Sequence, residues 1–213
     1  MKAERFHVYS EPLRFLALGD SYTIGESVDP AFRWPVLLAD ALRAEGVDIA
    51  VPEILAETGW TTDELDTAID VANVKGPFDL VSLLIGVNDQ YRKRTVDAYR
   101  PAFRSLLHRA VEFAGNDAGR VLVLSIPDWG VTPFATDDER PAEQIGAEID
   151  AYNAVARDEA GAAGAAFVDI TPLFRTRPLD VTLLADDGLH PSGRVYAAWA
   201  ERALPVALGI VRS

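Results

Sequence analysis

Apolar runs alternate with amphipathic segments along the whole chain. Residues 14–20 (RFLALGD) are apolar at successive positions, the pattern of a strand buried on both faces. Residues 33–46 (RWPVLLADALRAEG) predict a helix, with Pro35 in its first turn and Gly46 past its end. Residues 48–57 (DIAVPEILAE) predict a weaker strand, which Pro52 places at an edge or a bulge. A threonine cap and an acidic first turn mark residues 61–74 (TTDELDTAIDVANV) as a helix. Residues 78–89 (FDLVSLLIGVND) form the strongest strand pattern, ending on Gly86, Asn88 and Asp89. A helix is predicted over 95–115, broken or kinked at Pro101. Another two-sided strand covers 120–130, followed by a polar loop over 131–144 and a helix over 145–164. A strand over 165–174 and a closing helix over 190–208 complete the pattern, with Pro191 in the first turn of that helix.

Strands apolar on both faces belong to a parallel sheet covered on both sides. Five of them alternating with helices, joined by right-handed crossovers, predict an open α/β/α sandwich of three layers. Neither a repeat nor a linker interrupts the pattern, so residues 1–213 are expected to form one domain. In such sheets ligands bind at the carboxyl ends of the strands.

Composition narrows the function classes. Hydrophobic residues make up 49% of the 213 and charged residues 25%, the balance of a soluble globular chain. No apolar run approaches the roughly 18–20 residues that span a bilayer, so no membrane insertion is expected. The first fifteen residues (MKAERFHVYSEPLRF) contain no apolar core of a signal peptide, which points to the cytoplasm. A chain whose leader had been removed would read the same. The absence of cysteine removes disulfides, thiolate catalysis and cysteine-ligated zinc. His7, His108 and His190 lie far apart, so neither a metal nor another cofactor is expected, and His7 and His108 read as structural. A net charge of -13 repels nucleic acid and anionic membranes. Nothing in the pattern sets an oligomeric state.

The candidate chemistry sits at strand ends. Gly19-Asp20-Ser21 follows the first strand, Thr58-Gly59 the second and Gly86-Val87-Asn88-Asp89 the third, while Asp187 and His190 lie between the last strand and the last helix. All four segments should meet at one sheet edge. A serine hydroxyl becomes a nucleophile when a base takes its proton. His190 is the candidate base for Ser21, and Asp187, three residues earlier, can orient its ring. The backbone N–H of Ser21, that of Gly59 and the Asn88 amide are candidate donors to an oxyanion. Taken singly, each motif also fits a plain turn or cap: Gly-Asp-Ser as a strand-to-helix turn, Gly-x-Asn-Asp as an Asx cap. The GxSxG elbow, the GxxxxGK[ST] phosphate loop and the GxGxxG fingerprint are absent.

Together the motifs resemble the GDSL, or SGNH, hydrolase family, named for Ser, Gly, Asn and His in separate blocks. The matching residues are Ser21 in GDSYTIG, Gly59 in TGWTT, Asn88 in GVND, and Asp187 with His190 in DGLHP. Glu57 and Thr58 stand before Gly59 where the family often has an asparagine, and Tyr22 replaces the usual leucine. The resemblance implies a flavodoxin-like fold and metal-free hydrolysis of esters or thioesters through an acyl-enzyme on Ser21. A short acyl or aryl ester is the expected small-molecule substrate. Tyr22, Trp60 and Trp129 are candidate substrate contacts, Phe134 is a further aromatic residue expected near the same edge, and Trp34 lies in the first loop-helix junction. Alternatives are a carbohydrate O-acetyl esterase, an acyl thioesterase or lysophospholipase with the same residues, or a non-catalytic binding domain on this fold.

Overall fold

Five strands, β1 (Phe15–Gly19), β2 (Glu53–Ala56), β3 (Leu80–Leu84), β4 (Val121–Leu124) and β5 (Ala166–Val168), form one parallel sheet in the computed structural model. The structure describes residues 11–175 and 180–213; His7 lies outside them. The strand order is β2-β1-β3-β4-β5, that of flavodoxin-like sheets. Every residue of β1, β3 and β4 is buried, as their unbroken apolar runs require. β2 takes the edge position, directly after Pro52.

The helices are α1 (Ser21–Ile24), α2 (Trp34–Ala44), α3 (Thr62–Ala72), α4 (Val87–Tyr91), α5 (Val96–Phe113), α6 (Ala142–Ala163) and α7 (Gly193–Val211). From β1 the chain steps outward to β2, then returns past β1 to β3 and continues to β5. Because right-handed crossovers fix the side on which each connection lies, this reversal sorts the helices onto two faces. α2 packs with α7 on one face, and α3, α5 and α6 pack together on the other. The reversal also opens a crevice between the ends of β1 and β3, the switch point of the sheet. Among the described residues no helix is long and apolar enough to cross a membrane.

Several boundaries differ from the sequence reading, each for a local reason. The third strand stops at Leu84, and Val87–Tyr91 is helical rather than the strand's end. Gly86 makes that break with φ +126, a value side chains rarely tolerate, and the Tyr99 ring leaves no room for a Cβ. β5 stops at Val168 because the Ser125 hydroxyl accepts the N–H groups of Ile170 (2.8 Å) and Thr171 (3.1 Å), turning the chain out of the sheet. α5 runs unbroken through Pro101. Both Pro101 and Asp97, whose carbonyl loses a partner there, are exposed, so water can replace the missing bond. α6 begins at Ala142, and the preceding loop coils into two short turns over Trp129–Val131 and Pro133–Asp137.

The closing helix begins at Gly193, so Pro191 lies outside it. Pro191 pairs instead with Leu184 in an antiparallel bridge. The Ala185 N–H donates to the His190 carbonyl (2.8 Å), and the Ser192 N–H to the Leu183 carbonyl (2.9 Å). His190 therefore sits in a pinned loop two residues ahead of the helix cap.

Gly19 closes β1 where a Cβ would stand 2.2 Å from Thr23 Oγ1 and 2.5 Å from the Leu84 carbonyl. The hydroxyl can rotate away, but the backbone carbonyl of β3 cannot. Gly19→Ala is expected to lower stability by about 1–3 kcal/mol, the usual cost of overpacking. Urea unfolding of the two proteins measures it.

Candidate active site

Ser21 is the first residue of α1, immediately past β1. Asp20 caps that helix by accepting the Tyr22 N–H at 3.0 Å. The Gly-Asp-Ser motif is therefore a capped turn, and the same turn carries Ser21 to the carboxyl edge of the sheet. Among the described residues the Ser21 N–H has no protein acceptor. The N–H of Gly59 is likewise without one. Gly59 lies at φ +87, and no heavy atom comes within 4 Å of where its Cβ would be, so its backbone faces open space. Its carbonyl is held by Arg92 (2.8 Å), which also pairs with Glu64 (3.0 Å).

Asn88 is the second residue of α4. One of its amide hydrogens goes to the Trp60 carbonyl at 2.8 Å, which leaves the other for a ligand. Beside it, the carboxylate of buried Asp89 accepts the Thr62 N–H (3.0 Å), the Thr62 hydroxyl (2.8 Å) and Arg94 (3.0 Å). These contacts tie the start of α3 to α4 and so set the distance between Gly59 and Asn88.

Asp187 Oδ2 lies 2.6 Å from His190 Nδ1. Asp187 Oδ1 accepts the N–H groups of Leu189 and His190, each at 2.9 Å, and Ser27 donates its hydroxyl to Oδ2 at 2.8 Å. Partial burial pushes this carboxyl up, but the His190 ring, the two N–H groups and the Ser27 hydroxyl together hold it at about 2, below the ordinary 3.8. Asp20 is the opposite case. Complete burial raises it from 3.8 to about 8 despite the Tyr22 N–H, and its second oxygen has no partner among the described residues. Burial thus favours the protonated form of Asp20, next to Ser21.

Ser21, Gly59, Asn88 and His190 all line one cleft of about 170 Å³. No hydrogen bond joins the Ser21 and His190 side chains across it, a common looseness of such pairs without a ligand. Tyr22 is buried and sets its ring edge-on to His190, 5.5 Å between centroids, with Trp199 behind it at 6.1 Å. Trp129 and Phe134 line the cleft as well, together with Tyr91, which the sequence reading did not single out. The three rings meet edge-to-face or tilted at 5.5–6.1 Å and form one wall. Trp129 is fixed from behind: its Nε1 donates to Gln90 (2.8 Å), and Arg140 lies 5.4 Å over its ring. The Trp60 side chain does not line the cleft. It packs against the core, and the residue serves the site through its carbonyl instead. Trp34 is wholly buried against Phe15, and His108 is exposed on α5. Only a position past the Asn88 motif, one helical turn from it, marked Tyr91 in the sequence.

The family model of the GDSL-like Lipase/Acylhydrolase family matches residues 17–198. No curated relative matches the sequence. Among solved structures, TesA superposes with a TM-score of 0.71 at 18% identity, covering 92% of this chain and 99% of its own. A lipase/acylhydrolase from Enterococcus faecalis gives 0.68 at 22%, covering 94% and 96%. A variant of Axe2, an acetyl xylan esterase from Geobacillus stearothermophilus, gives 0.67 at 21%, covering 92% and 94%. At these identities the likeness is one of fold.

The lowered Asp187 carboxyl has a consequence for stability. A folded-state value of about 2 against an ordinary 3.8 contributes stability that is complete above about pH 4 and lost as pH falls toward 2. Thermal midpoints of the protein and of Asp187→Asn should therefore converge on acidification through that window. Parallel curves from pH 5 to 2 would show that the native contacts do not favour the ionised form.

Proposed function

The chain belongs to the GDSL-like lipase/acylhydrolase family, and we propose that it is a serine esterase acting on carboxylic esters with a short acyl or an aryl group. One observation carries this reading. Ser21, Gly59, Asn88 and His190 arrive from four separate segments at one cleft, and Asp187 meets the His190 ring at 2.6 Å. In this reading the whole chain acts as one hydrolase domain.

Ser21 Oγ attacks the acyl carbonyl while His190 takes its proton. Asp187, ionised across the working pH range, orients the ring and stabilises the imidazolium. The negative charge that develops on the carbonyl oxygen is met by the free N–H groups of Ser21 and Gly59 and by the spare Asn88 hydrogen, each worth about 100- to 1,000-fold in rate. His190 then protonates the departing alkoxide. Water, deprotonated by the same ring, releases the acid from Ser21.

The cleft favours a compact, apolar substrate. Its volume lies below the roughly 300–1,000 Å³ of pockets for drug-sized ligands. Its polar side chains are largely committed: Thr58 donates to Glu26, and Asn88 spends one hydrogen on Trp60. Few groups remain to meet sugar hydroxyls, while the Tyr91, Trp129 and Phe134 wall suits an aryl or short alkyl group. The likeness to an acetyl xylan esterase keeps sugar acetates as the second reading.

Ser21→Ala should reduce hydrolysis of p-nitrophenyl acetate by at least about 1,000-fold with an unchanged thermal midpoint; retained turnover would sink the assignment. Because its contacts hold the Asp187 carboxyl at about 2, that group should add no step of its own to the acid limb of kcat/KM above about pH 4. Phe134→Ala and Tyr91→Ala should each raise KM for aryl esters about fivefold, the worth of one aromatic contact. A preference for acetylated xylose over aryl acetates in the unmodified protein would favour the sugar reading.

A further inference from the structure

The short loop that follows α1 touches both other parts of the cleft. The chain leaves α1 through Gly25 at φ +68, and two residues later Ser27 enters the left-handed region again at φ +62. A serine carries a steric cost there that glycine would not. Its hydroxyl donates to Asp187 Oδ2 at 2.8 Å, the same oxygen that meets His190 Nδ1 at 2.6 Å. The preceding residue, Glu26, accepts the hydroxyl of Thr58, which lines the cleft beside Gly59.

The Ser27 bond has a distinct place in the network. Among the described residues Asp187 Oδ1 is held by N–H groups of its own turn, Leu189 and His190. Those bonds fix the carboxyl within its loop and do not tie it to the segment that carries Ser21. Apart from the bonds that Ser192 accepts as the cap of α7, the Ser27 hydroxyl makes the one hydrogen bond, among the described residues, that joins the 180–192 loop to another part of the chain. Leu183, Leu184 and Leu189 also pack the loop on the core, and the Tyr22 ring meets the imidazole edge-on. The Ser27 hydroxyl and the Tyr22 ring both come from the segment that begins with Ser21.

We propose that Ser27 is a positioning residue of the hydrolytic site, holding Asp187 by the oxygen that faces His190 and so keeping the base in register with Ser21. The proposal rests on the reading of Ser21, His190 and Asp187 given above. The left-handed backbone at Ser27 is the geometry that brings a hydroxyl from the helix exit to that carboxylate.

The test compares Ser27→Gly, Ser27→Ala and Ser27→Asn with the unmodified protein. Glycine removes the hydroxyl and relieves the backbone cost together. Its thermal midpoint should hold or rise, while kcat on p-nitrophenyl acetate falls about three- to tenfold with KM unchanged, the worth of one hydrogen bond. Alanine should lose the same kcat. Asparagine tolerates the left-handed region and offers an amide donor, so it should recover much of the rate. A second readout needs no turnover: the downfield proton resonance of His190 Nδ1–H should move in Ser27→Gly and return toward its place in Ser27→Asn. Unchanged kcat and resonance in Ser27→Gly overturn the proposal, as does a kcat loss that tracks a falling thermal midpoint without rescue by asparagine. If Ser21→Ala retained full activity, the hydrolytic reading would fail instead, and the resonance would still test the Ser27–Asp187 bond.

Discussion

Where parallel strands end, their backbone N–H and C=O groups lose the neighbouring strand and must find other partners. In this protein polar side chains at the carboxyl edge take that place, and the cleft is built from them. Asp20 takes the Tyr22 N–H after β1, and Asn88 donates to the Trp60 carbonyl across the gap between the second and third crossings. Asn153 of α6 accepts the Ile126 N–H (2.7 Å) and returns a bond to the Ile126 carbonyl (3.0 Å) after β4. Asp187 takes two N–H groups of its own turn. Satisfying the backbone and holding the cleft residues in place are thus one set of contacts.

The two carboxyls near Ser21 show how the same functional group is set to opposite states by its surroundings. Asp187 keeps four donors and partial access to water, so its charge is favoured. Asp20, wholly buried with one oxygen unpartnered, is pushed the other way. Burial therefore favours its neutral form beside Ser21. At Asp89 burial again raises the carboxyl, while Thr62 and Arg94 pull it back.

The parts of the fold that depend on periodicity were legible in the sequence, because apolar spacing is a local signal. The succession of five strands and their helices, the two-sided burial of β1, β3 and β4 and the edge place of β2 beside Pro52 follow from it, while the order of the strands across the sheet does not. The ends of elements were less so. The exit from β3 at Gly86 depends on the Tyr99 ring, and the end of β5 on the Ser125 hydroxyl, both distant in sequence. The cleft residues Ser21, Gly59, Asn88 and His190, and Asp187 beside the His190 ring, carried motif spacing. Their supports did not: Arg92 reaches Gly59 across 33 residues and Ser27 reaches Asp187 across 160. Trp60 was misjudged for a related reason, since an aromatic side chain suggests a surface for substrate and says nothing of what its carbonyl accepts.

The spacing of the cleft residues along the chain has an effect on cleavage. Ser21 belongs to the first strand and helix, whereas His190 comes just before α7, which packs against α2. A cut anywhere between them, followed by separation of the pieces, would leave each fragment with only part of the cleft.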